Sequence, residues 1–182
     1  MADTKAEARV AIQRQDFNVA DEIATLRKGD MRVGAVCSFI GTVRDRNIVP
    51  TNAAIKEAAV EGNVVLSSDI VLSMELEHYP GMTEKAIEAM IDEACVRFDI
   101  FAARVVHRIG LLAPLDQVVL VAVTAAHRGE SFKACEFLMD YLKTQAPFWK
   151  KEVTPAGARW VDARASDDSA LEKWEVSLPN AR

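Results

Sequence analysis

Three short stretches of this chain place anion-holding or nucleophilic groups where backbone geometry would help them. In Thr124-Ala125-Ala126-His127-Arg128-Gly129-Glu130, an apolar run delivers an imidazole and a guanidinium to the start of a helical pattern. The free N–H groups of a helix N-terminus favour anions, and arginine adds a planar fork of donors. His127 and Arg128 are therefore candidates for holding a phosphate or a polar ring. Lys143 and Lys150 flank Thr144-Gln145-Ala146-Pro147, one ending a helical pattern and one in the strand pattern that follows. A chain reversal at Pro147 could bring both ammonium groups to one site. There each disfavours the other's charge, which frees one as a nucleophile or proton donor. Gly41-Thr42-Val43-Arg44 ends a third pattern with another potential anion clamp. Residue types alone leave plainer alternatives open: a solvated Arg44 and Arg128, a hydrogen-bonded His127, and a Lys143 that only complements its helix dipole.

Other reactive residue types carry less. His78 and His107 belong to no HExxH or comparable spacing, so a structural role is expected for both and no metal site is predicted. Cys37, Cys95 and Cys135 form no CxxC pair, and Cys37 and Cys135 fall at expected core positions. A Cys135–His127 nucleophile pair is conceivable but unsupported by spacing, and Glu75 and Glu77 share one expected strand face.

The elements that must position these residues alternate between strand and helix patterns. Ile12 to Phe17 predicts a strand, and Asn18 caps a short helix carrying Val19, Ile23 and Leu26 inward. Gly34 to Val43 predicts a strand with Gly41 at a bulge or close approach. Residues 45–70, with Pro50, Asn52 and Gly62-Asn63, predict a long excursion. Val71 to His78 alternates, with Leu72, Met74 and Leu76 on one face. Thr83 is the expected cap of a helix with Ile87, Met90, Ile91, Ala94 and Phe98 at helical spacing. Strands are predicted at Arg104 to Ile109 and Val118 to Thr124, the second apolar on both faces and hence central. A helix from about Glu130 to Thr144 carries Phe132, Cys135, Leu138, Met139 and Leu142 inward until Pro147 stops it. Phe148 to Val153 predicts a strand, and Ser166 to Trp174 a helical segment. The order is that of an α+β fold.

At 182 residues, the length prior is about one domain of ~150 residues. Half the residues are hydrophobic and 27% are charged, which is globular composition. A net charge of −5 argues against nucleic acid or an anionic membrane as partner, since both need a basic face. Residues 127–164 nevertheless hold seven Lys/Arg against five Asp/Glu, which favours a small anionic ligand. The longest apolar run, Val118 to Ala126, is far short of the ~20 residues of a membrane helix, and no signal peptide is apparent. A cytoplasmic protein with reduced thiols is expected.

Several motifs together are specific. Leu76-Glu77-His78-Tyr79-Pro80-Gly81-Met82, Val106-His107-Arg108-Ile109-Gly110 and Ala126-His127-Arg128 resemble the large, catalytic subunit of molybdopterin synthase. Met139-Asp140-Tyr141-Leu142-Lys143-Thr144 running into Ala146-Pro147-Phe148-Trp149-Lys150-Lys151 is the most specific match, within a similarity from about Phe39 to Arg164. The resemblance implies an α/β hammerhead-like fold with an additional antiparallel β-sheet, in one domain over 1–182. It implies a sulfurtransferase of molybdenum-cofactor biosynthesis that converts cyclic pyranopterin monophosphate into the molybdopterin dithiolene. Sulfur would arrive on the thiocarboxylated C-terminus of a small ubiquitin-like sulfur-carrier subunit, within a heterotetramer built on a homodimer. No metal and no cofactor is implied at this step. Carried over by motif, Lys143 and Lys150 are the catalytic lysines. Arg44, His127, Arg128 and Arg164 bind substrate, Arg164 across the dimer, and Phe39 and Met139 line the pocket. Two departures stand out: Thr42 where many relatives carry lysine, and a long insertion at about 47–70, just after Arg44.

Two other functions compete. A non-catalytic module binding the sulfur carrier would not need both lysines. A thiol hydrolase would require Cys135 to be reactive and close to His127.

Overall fold

The computed structural model describes residues 8–45, 70–161 and Trp174. Asn18 starts helix α1 (Val19–Leu26) as expected, its side-chain oxygen accepting from the Ala20 N–H at 2.9 Å and the Asp21 N–H at 3.4 Å. The strand before it, β1 (Val10–Gln13), starts two residues before and ends four residues before the predicted Ile12 to Phe17. Phe17 is buried, but it packs with Val19, Ile23 and Leu26 in the α1 cluster instead of extending the strand. Strand β2 (Ala35–Thr42) slips register between Gly41 and Thr42, the bulge expected there. A Cβ at Gly41 would stand 2.8 Å from Val119 Cγ1, so the strand and its neighbour approach too closely for another side chain without rearrangement.

Strand β3 (Ser73–His78) buries Met74 and Leu76, whereas Leu72, just before it, is 54% exposed instead of sharing their face. Helix α2 (Met82–Arg97) is capped at Gly81, whose N–H donates to Glu84 Oε2 at 2.6 Å. Thr83 is therefore not the cap. It is fully buried inside the first turn, and its hydroxyl lies 3.1 Å from the Tyr79 carbonyl and 3.2 Å from the Pro147 carbonyl.

Strand β4 (Ile100–Arg108) begins four residues before its predicted start, and β5 (Gly110–Leu112) is too short to leave a pattern. Strand β6 (Gln117–Ala125) is followed by helix α3 (Arg128–Gln145), strand β7 (Phe148–Thr154) and strand β8 (Gly157–Val161). On α3, Cys135, Leu138 and Leu142 are buried as the spacing predicts, but Phe132 is 59% exposed. The expected helix at 166–174 and the insertion at 47–70 lie outside the described residues, apart from Trp174 and Ile70.

The strands form two four-stranded sheets. The first has order β1-β4-β6-β2, with β1 parallel to β4 and the other pairs antiparallel; the second is antiparallel, β5-β3-β7-β8. Strand β6 is central and buried on both faces. Val121 and Val123 meet Ile87, Met90, Phe137 and Leu138 beneath α2 and α3, while Leu120 and Ala122 meet α1. A one-residue slip of β6 would exchange its two apolar faces, so its register rests on the fit of these side chains and on its pairing with β2 and β4. A third cluster of Val43, Met74, Leu76, Leu112 and Val118 links the sheets near the end of β2. Among the described residues, no helix is long and apolar enough to cross a membrane.

Candidate functional site

Helix α3 and strand β6 measure the distances between the candidate residues. In β6, Ala125 pairs with Ala35, Val121 with Phe39 and Gln117 with Thr42. Cys135 Sγ lies 4.0 Å from the Val121 carbonyl, and its thiol meets Cys37 and the Phe39 backbone. Four strand residues, Ala125 back to Val121, span about 13 Å, and eight helical residues, His127 to Cys135, rise about 12 Å. Helix α3 therefore runs back along β6. A further eight residues carry Lys143 another ~12 Å, to the level of Gln117 and Thr42.

Arg44 lies at that same end, exposed just beyond β2, where the Val43 N–H donates to the Asp116 carbonyl at 2.9 Å. The chain re-enters beside it, the Val71 N–H donating to the Asp45 carbonyl at 2.8 Å. Two residues, Ala146 and Pro147, separate α3 from β7, and Phe148 at the start of β7 stacks on His107. His107 pairs with Val119, two positions from Gln117, so β7 also begins at this end of the first sheet. Arg44, Lys143 and the start of the strand carrying Lys150 are thereby gathered at one end of the molecule.

His127 and Arg128 are at the other. Both are exposed at the start of α3, where His127 makes no side-chain capping bond. With Gly34, Ala35, Ala126 and Gly129 they line an open cavity of about 620 Å³. The approach of β2 to this loop is close enough that a Cβ on Gly34 would stand 2.3 Å from the Ala126 carbonyl oxygen. Along the helix axis His127 and Lys143 are about 24 Å apart. One chain therefore does not assemble Arg44, His127 and Arg128 into a single cradle. Arg164 lies outside the described residues. Phe39 is 41% exposed on β2, and Met139 is half-buried against the core on α3, one turn beyond the Cys135 that touches the Phe39 backbone.

Two groups at the lysine end were not singled out from the sequence. Glu152, with 2% of its side chain exposed, holds Lys150 Nζ at 2.7 Å and Arg159 Nη2 at 3.3 Å. Two-residue spacing on a strand puts Glu152 on the Lys150 face, a signal present in the sequence. Arg159 lies in β8, opposite Glu152, and has no such signal. On the reverse face, Lys151 lies 3.9 Å from Glu75 and 5.6 Å from the centre of the Trp160 ring. The Glu75–Glu77 pair expected on one face thus meets a cation across the strand at Glu75.

The cysteines do not form a reactive site with His127. Burial pushes the Cys135 thiol up to about 12, with Cys37 beside it contributing in the same direction. Cys135 is also two helical turns from His127, which removes the basis for a thiol hydrolase.

A family model described as MoaE protein matches residues 12–145. The molybdopterin synthase catalytic subunit of Ralstonia nicotianae is 52% identical over 172 residues, covering 94% of this chain and 87% of that protein. The solved structure of the molybdopterin biosynthesis MoaE protein from Burkholderia ambifaria aligns with TM-score 0.72 at 49% identity, over 93% of this chain and 99% of its own. Molybdopterin synthase from Staphylococcus aureus aligns with TM-score 0.66 at 26% identity, over 84% and 96%. With most of both chains matched at this identity, and the α+β fold held in common, the chain belongs to the MoaE protein family.

Proposed function

We propose that this chain is the catalytic subunit of a molybdopterin synthase. It transfers sulfur from the thiocarboxylated C-terminus of a small ubiquitin-like partner to cyclic pyranopterin monophosphate. Family membership supports the reaction, and the observation that carries the site is the gathering of Arg44, Lys143 and the Lys150 strand at one end of the fold. Each round exchanges one oxygen of the substrate side chain for sulfur and leaves the partner with a carboxylate terminus. Two rounds complete the dithiolene. Negative charge develops on the acyl group and on the departing oxygen, and cations fixed in place before the reaction stabilise it without reorganising. Lys143 serves the acyl carbon and moves protons as oxygen leaves. Lys150, oriented by Glu152, is the second cation. Arg44 takes the cyclic phosphate, with Phe39 and Met139 as apolar walls.

His127 and Arg128, about 24 Å from Lys143, serve the pocket of a second copy in this reading. A homodimer fits the β2 edge of the first sheet, which pairs with no further strand among the described residues and leaves Val36, Phe39 and Ile40 each about 40% exposed. Arg164 is assigned to the same pocket, donated across that interface.

Mixing the purified chain with thiocarboxylated partner and cyclic pyranopterin monophosphate tests the reading. Dithiolene product is expected only when all three are present. Partner binding without product would point to a binding module and overturn the catalytic assignment.

A further inference from the structure

Resting on the reading of Lys143 and Lys150 as the catalytic pair, we propose that His107 is a positioning residue for that pair, acting through Phe148. The two lysines belong to different layers. Lys143 rides on α3, whose inner face is locked to the first sheet through Phe137, Leu138 and Leu142. Lys150 rides on β7, in the second sheet, where it pairs with Leu76 and Val161. Their spacing is therefore set by how the sheets meet at the Ala146-Pro147 corner.

His107 crosses that junction. It sits in β4 of the first sheet, and its ring lies on the Phe148 ring with centroids 3.9 Å apart and planes within 17°. The imidazole is itself held, Nδ1–H donating to the Arg108 carbonyl at 2.8 Å. Phe148 is the first residue of β7 and shares a strand face with Lys150 and Glu152. From the other side, the Thr83 hydroxyl of α2 lies 3.2 Å from the Pro147 carbonyl, and the Phe148 N–H donates to the Ala146 carbonyl at 2.8 Å. The corner is thus fixed by polar contacts at Pro147 and by one flat aromatic surface at Phe148. Without that surface the start of β7 can tilt towards the vacated space, carrying Lys150 relative to Lys143. Displacement of a catalytic group by about 1 Å can cost up to about 100-fold in rate.

The test compares His107→Ala, His107→Phe and Lys150→Ala in the complex with thiocarboxylated partner, measuring kcat, KM for the pterin, and partner affinity. His107→Ala is expected to lower kcat about 10- to 100-fold with partner affinity kept, and His107→Phe, which restores a stacking ring, to return most of it. A residue that only supports the fold would lower the active fraction and leave kcat per folded molecule unchanged. Phe148→Leu, which keeps apolar bulk and removes the ring, is expected to reproduce the kcat loss if His107→Ala does not fold. Unchanged kcat in His107→Ala or Phe148→Leu, beside an inactive Lys150→Ala, would overturn the positioning role alone. Folded but inactive His107→Phe would also overturn it, by requiring the imidazole itself. Full turnover by Lys150→Ala would overturn the functional reading, and the positioning proposal with it.

Discussion

Glu152 contacts Lys150 and Arg159 through different carboxylate oxygens, at 2.7 and 3.3 Å, from a nearly closed environment. Removing one member of a fully buried pair costs about 3–5 kcal/mol, because the other charge is stranded. Here Lys150 and Arg159 keep 35% and 48% of their side chains exposed, so water can take over part of that role. Glu152→Gln should therefore destabilise by only about 1–3 kcal/mol in urea unfolding while lowering turnover more than tenfold, since Lys150 loses its orienting partner. His107 gives a separate, pH-dependent signature. Burial above all, opposed by the Arg108 carbonyl and aided by nearby His78, holds its imidazole down at about 4. Between about pH 6.5 and 4 the unfolded chain binds a proton that the folded chain refuses, so this group's contribution to stability falls as pH falls, by up to ~1.4 kcal/mol per unit. Urea midpoints at about pH 5 and 7 should differ less in His107→Phe than in the parent. At this scale Cys135 was legible as a core residue from its helical spacing, and it is buried. Arg159 escaped because only strand pairing brings it to Glu152.

At the scale of elements, legibility follows how many faces are buried. Strand β6 is apolar on both faces and was readable as the central strand; Asn18 was readable as a cap because its side chain does that work locally. Short strands β5 and β8 are held by pairing with neighbours, not by their own composition, and their residues show no period. Thr83 looks like a cap by type, but burial against Pro147 gives its hydroxyl a tertiary task. Phe132 is at helical spacing from Cys135 but lies about 100° round α3 from the buried Ser131, outside the face made by Ser131, Ala134, Cys135, Leu138 and Leu142, and so stays exposed. The junction of β2 with that end also makes a test. A Cβ at Gly34 would meet backbone, the Ala126 carbonyl oxygen at 2.3 Å, and backbone cannot rotate aside as a side chain can. Gly34→Ala should lower stability by about 1–3 kcal/mol in thermal unfolding, more than Gly129→Ala, where nothing stands within 4 Å.

For the whole molecule, the principal result is that the anion-binding candidates are divided between two ends. That division was implicit in the sequence: sixteen residues of α3 from His127 to Lys143 rise about 24 Å, but only the packing of α3 along β6 shows that the helix spends this length moving away from His127. If His127 and Arg128 complete a second copy's pocket, an assembly of Arg128→Ala and Lys143→Ala chains contains one pocket with both defects and one with neither. Mixed assemblies should recover up to about half of the parent turnover per mixed dimer, whereas each variant alone is inactive. No recovery would remove the shared-pocket arrangement and leave the lysine site standing. The catalytic assignment itself is tested most directly by single-turnover dithiolene formation with saturating thiocarboxylated partner, comparing the parent chain with Lys143→Ala at equal partner occupancy. A catalytic Lys143 gives product from the parent and a loss of at least about 100-fold in Lys143→Ala with the partner still bound. Equal rates from the two would contradict that assignment.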